Sequence, residues 1–151
     1  MEQRNNPNYQ DAEILLQLFE RFESEEMYAA RHFVLHDLEV ETIDAFHDKY
    51  TPQSRESCYF HKIYRFFEMV GVLHKNKLVH PDLMFDVWYI NAFYSKLHPI
   101  FYSWRRKGDA HIAENFEHLA FAELEWIERT KGKSAVPDLP YWNRAESTSH
   151  S

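Results

Sequence analysis

The chain has only three glycines, Gly71, Gly108 and Gly132, in 151 residues. A sandwich or barrel needs many tight turns, and glycine usually supplies them. The scarcity argues against such folds and suits helices joined by short loops. Three isolated glycines also exclude a phosphate-binding Gly-rich loop, a dinucleotide fingerprint and a Gly-x-Ser-x-Gly nucleophile turn. Cysteine is nearly missing: Cys58 stands alone, so no intramolecular disulfide can form. No apolar run approaches the ~20 residues of a membrane span, and no signal peptide is visible, which points to a cytoplasmic protein. Glu-x-x-His, the pair from which helix-bundle di-iron sites are built, does not occur. Neither does His-Glu-x-x-His. Positive charge is in the minority: 17 Lys and Arg face 24 Asp and Glu, for a formal charge of −7. That balance disfavours binding to nucleic acid through the phosphate backbone. The one dense basic run, Arg105-Arg106-Lys107 before Gly108, reads as a cationic helix C-terminus.

What the chain does hold is aromatic residues: twelve Phe, nine Tyr and four Trp. Such a load excludes general disorder, and the length suits one domain with a real core. Apolar residues recur at helical spacing in successive segments. Tyr9 to Glu23 carries Ala12, Leu15, Leu16, Phe19 and Phe22. Ser24 reads as the N-cap of a second helix with Met27, Ala30, Val34 and Leu38 on its stripe. Thr42 reads as the cap of a short helix ended by Thr51-Pro52. A third main helix starts near Ser54 and ends around Gly71.

From Pro81 to Lys107 the apolar residues cover almost the whole circumference, which predicts a buried central helix kinked at Pro99. Asp109 reads as the cap of a last helix to about Thr130, its outer side acidic with Glu114, Glu117, Glu123, Glu125 and Glu128. The reading is all-α: a single-domain bundle of five to six helices around a central Pro-kinked helix over residues 1–131, with a polar C-terminal tail over 132–151. Within that tail, Leu139-Pro140-Tyr141-Trp142 is apolar enough to dock on the bundle.

Candidate polar sites follow from charges set among apolar neighbours. Glu68 lies between Phe66-Phe67 and Met69-Val70, and Glu117 follows Phe116. A carboxylate so placed needs a partner, and Arg31 after Ala29-Ala30 and Arg105 after Trp104 are the candidates. Arg31, Glu68, Arg105 and Glu117 are therefore expected to form a binding or structural polar network. If Glu68 pairs with a buried Arg105, Glu68→Ala costs roughly 3–5 kcal/mol. Ten histidines raise a metal site, with His32 and His36 one turn apart and Asp44-x-x-His47 nearby. The same pattern fits surface and core histidines. Cys58 and His61, three residues apart near a helix start, allow a thiolate pair or an ordinary half-buried turn.

Several stretches together resemble a bacterial family of unknown function, domain of unknown function 4760. They are Ser24-x-Glu26-Met27-x-x-Ala30-Arg31, the run Phe66 to Leu73, Leu78-Val79-His80-Pro81-Asp82-Leu83-Met84-Phe85-Asp86-Val87-Trp88, Phe93 to Ile100, Arg105, and Asn115-Phe116-Glu117-His118-Leu119-Ala120. The resemblance spans about residues 10 to 125 and implies a bacterial or phage-borne helical protein, but no activity. It stresses the same four residues, Arg31, Glu68, Arg105 and Glu117. Many relatives carry an N-terminal membrane helix. This sequence shows none, so membrane anchoring is not transferred.

The functional expectation is a helical interaction or regulatory module, without catalytic activity or cofactor, that binds a protein partner or itself. Its anchors are aromatics too numerous to be internal: Tyr89, Tyr102, Trp126, Tyr141 and Trp142. Two alternatives stand beside it: a small-ligand sensor using Glu68 and Arg105, and a metal-assisted hydrolase using clustered histidines.

Overall fold

A computed structural model describes residues 6–142. Seven α-helices build one all-α bundle, with no strand among the described residues. They are α1 (Tyr9–Phe22), α2 (Glu25–His32), α3 (Ile43–Lys49), α4 (Arg55–Lys75), α5 (Pro81–Val87), α6 (Asn91–Arg106) and α7 (Glu114–Lys131). A π-turn, Phe33–Asp37, prolongs α2, and a 3₁₀ turn, Lys133–Ala135, follows α7.

The helices start where short polar side chains can take up free N–H groups. Asn8 and Asp11 form a reciprocal capping box on α1, with bonds of 3.0 and 2.8 Å. The hydroxyls of Ser24, Thr42 and Ser54 accept from Met27, Ala45 and Ser57 at 3.3, 3.1 and 3.1 Å. Pro81 occupies the first turn of α5, where its missing N–H costs nothing.

Packing is most extensive between α4 and α7, followed by α2 against α4. Rings fill the interior. Phe22 stacks on Phe66 at 5.1 Å, Phe67 meets Phe93 at 5.3 Å and Phe116 at 5.1 Å, and Phe46 meets Phe60 at 4.5 Å.

The stretch from Pro81 to Lys107 is not one rod. It divides into α5 and α6 at Trp88–Ile90, which is why the bundle has seven helices rather than five or six. Trp88 is extended (φ −121°, ψ 140°), and its buried indole packs on Phe22 and Phe66 while Val87 and Tyr89 face outward. Pro99 lies inside α6, and the helix continues through it.

Candidate functional site

Arg105 and Glu117 do meet, across the α6–α7 seam. The Arg105 guanidinium donates through Nη1 to Glu117 Oε2 at 2.8 Å and through Nε to the Ile112 carbonyl at 2.8 Å. The fully buried Tyr94 donates its hydroxyl to the same Glu117 oxygen at 2.9 Å. Burial, and then the Glu117 charge, push the Tyr94 phenol far above its ordinary pKa, so it stays a donor. His98, one turn along α6, packs between Tyr102 (4.4 Å) and Tyr141 (4.7 Å), and burial lowers its pKa.

Glu68 does not pair with Arg105. Its two carboxylate oxygens accept the backbone N–H groups of Asn115 (2.9 Å) and Phe116 (3.2 Å), at the start of α7. The residue before that helix, Ala113, is left-handed (φ 58°) and offers no capping side chain. The Asp109 side chain, expected in that role, instead accepts from His111 N at 3.1 Å in the preceding turn. A carboxylate from α4 therefore does the work of the missing cap, and its charge suits the positive end of α7. One turn further along α4, Gly71 lets the two backbones touch: a Cβ there would lie 2.2 Å from the Asn115 carbonyl oxygen.

Arg31 sits apart from both groups. It pairs with Glu23 at 3.3 Å and lies 4.6 Å over the Phe22 ring. The four predicted residues thus form three separate braces, and the pair proposed for a ligand, Glu68 with Arg105, is not assembled.

One deeply buried carboxylate was not among the predicted site residues. Glu123, read from the sequence as part of the acidic outer face, is 1% exposed. Its oxygens accept from Ile90 N (2.8 Å), Asn91 N (2.9 Å) and Asn91 Nδ2 (2.7 Å), closing the break between α5 and α6. Asn91 Nδ2 also donates to the Ala120 carbonyl at 2.9 Å, and Asn91 Oδ1 accepts from the Tyr141 hydroxyl at 2.6 Å. Burial pushes the Glu123 carboxyl up to about 7, against the pull of these donors. The signal was present in the spacing. Glu123 lies four residues after Leu119 and four before Ile127, in phase with the core stripe of α7.

The Asn91–Tyr141 bond also shows how the C-terminal segment docks. Val136 is buried, Tyr141 packs edge-on against Tyr94 at 5.0 Å, and Trp142 lies 5.5 Å from Phe121.

Four of the described histidines form two pairs. His32 and His36 rings lie 4.9 Å apart and His74 and His118 rings 5.4 Å apart. Among the described residues no three His, Cys, Asp or Glu side chains converge as a metal would require. Burial, helped by His118, depresses His74 to about 4.

The exposed rings are mostly not those expected. Trp126 is buried and donates its indole N–H to Asp82 at 2.9 Å, and Tyr102, Tyr141 and Trp142 are half-buried, leaving Tyr89 outside. Three exposed apolar side chains fall together on α1. Tyr9, Leu16 and Phe19 are 88%, 66% and 42% exposed, while Asp11, Leu15, Leu18 and Phe22 face inward. Tyr28 on α2 is exposed as well.

No described helix is long and apolar enough to cross a membrane. No curated protein and no solved structure matches the chain. One family model does, over residues 6–122, a stretch that holds Arg31, Glu68, Gly71, Arg105 and Glu117 and stops just short of Glu123. With well over half of its length matched in this way, the chain belongs to the family described as Domain of unknown function (DUF4760).

Proposed function

We propose that this protein is a binding module rather than an enzyme, and that the outer face of α1 is its contact surface. The observation that carries this reading is the second apolar stripe of α1. Its inward stripe is satisfied by the bundle, yet Tyr9, Leu16 and Phe19, spaced by seven and three residues, face outward. That spacing is how an amphipathic helix presents anchors to a groove or to another helix. Burying each such side chain contributes roughly 1.5–3 kcal/mol, and the described residues leave all three uncovered. The polar clusters support the same reading from the other direction. Arg105, Glu117, Glu68 and Glu123 are spent on bonds that hold α4, α6 and α7 together.

The simplest occupant is a second copy of the chain. Light scattering over a concentration series is the test. Mass should rise above the 18.3 kDa of one chain, and Leu16→Glu should hold it there without changing the helical circular dichroism. A mass fixed at one chain at every concentration rejects self-association.

A further inference from the structure

Away from α1, the first turns of α4 and the end of α3 enclose a cleft of about 570 Å³. That is within the size range of small-ligand sites. Its walls include His47, Ser57, Cys58, His61, Lys62 and Arg65, and no acidic residue lines it. On a chain of formal charge −7, a recess walled only by neutral and basic groups is a local reversal of sign. Four observations give that reversal chemical content. Ser57 is 4% exposed, and its hydroxyl makes no hydrogen bond among the described residues. His61 Nδ1 lies 2.8 Å from the Ser57 carbonyl. A carbonyl only accepts, so Nδ1 carries the hydrogen and Nε2 is left for another partner. Arg65 is exposed and has no salt bridge among the described residues, while Lys62 is engaged by Glu26 of α2. The cleft also stands at the N-terminal end of the 21-residue α4, where the helix dipole adds positive potential.

We infer that this cleft binds a small phosphorylated ligand, its phosphate held by the free Arg65 guanidinium and the unpartnered Ser57 hydroxyl, with His61 Nε2 within the same wall. A phosphate monoester fits better than a carboxylate. It offers three oxygens to donors arrayed on several sides, and two negative charges to a recess lined by no acidic residue. The site is independent of the α1 surface, so either can fail alone.

Cys58, exposed and the only thiol in the chain, lies in the same wall and serves as the reporter. The full-length protein is alkylated with iodoacetamide at fixed pH, in inorganic phosphate or in sodium chloride of equal ionic strength. Phosphate should slow the reaction saturably, by roughly tenfold, the lower end of what charge focusing in a cleft achieves. Arg65→Gln should remove that protection while leaving the chloride rate within about twofold. Arg106→Gln, an exposed change elsewhere, should leave the protection intact. Equal rates in the two salts, or protection that survives Arg65→Gln, would overturn the assignment.

Discussion

Glu68 shows how one side chain's role depends on what lies opposite it. Paired with a buried arginine, it would be worth several kcal/mol. Bonded instead to two N–H groups of α7, it acts as a borrowed N-cap. Glu68→Ala should therefore cost about 1–2 kcal/mol, the range for losing a cap, rather than the 3–5 kcal/mol of a stranded guanidinium. A urea melt decides between them. A loss above about 3 kcal/mol would mean that the carboxylate supports more than those two bonds. Arg105 keeps Glu117 and the Ile112 carbonyl in either case.

At the scale of helices, α7 is aimed by a four-residue stretch of α4. Glu68 takes up its first N–H groups, and Gly71 supplies the room for them to arrive. Gly71→Ala should cost about 1–3 kcal/mol, as over-packing does, despite the better helix propensity of alanine. Combined with Glu68→Ala it should be less than additive, because the first change already pushes α7 off its seat. Additive losses in the double variant would show that the two residues act separately.

The helices themselves were legible in the sequence wherever their limits are local. Ser24, Thr42 and Ser54 cap the helices expected of them because an N-cap bond spans three residues. The break at Trp88–Ile90 was not legible, because the carboxylate that closes it comes from Glu123, 33 residues further along. The same distance hid Glu68's true partners, 47 and 48 residues away. Charges flanked by apolar residues singled out Arg105 and Glu117, but the pairing expected was Arg105 with Glu68 rather than with Glu117. They could not say which acid each arginine would face. On α1 the spacing identified an amphipathic helix but not which stripe turned inward. Leu18 completes the buried row, and Leu16 and Phe19 fall outside it.

For the whole molecule, two buried groups give stability an opposed dependence on pH. Glu123 titrates near 7 in the folded chain against an ordinary 4.5. Its contribution is therefore complete below about 4.5 and is lost as pH rises through 7. His74 is held near 4 against an ordinary 6.5. Its contribution is complete above about 6.5 and is lost as pH falls through 4. Between about pH 4.5 and 6.5 the two effects offset each other, so urea midpoints should change little there and decline from about pH 6.5 to about pH 7 on account of Glu123. Glu123→Gln, though less stable overall, should flatten that decline. An equally steep decline in the variant would place its origin elsewhere.

Asn91 gathers the consequence of that arrangement into one position. Its amide is shared among a carboxylate, a main-chain carbonyl and a phenol, contributed by α7 and by the segment that ends the described chain. Aspartate there would set one anion against another, leucine would strand both the carbonyl and the phenol, and glutamine would overshoot. Each of these changes at position 91 would thus be felt in three remote stretches of polypeptide at once.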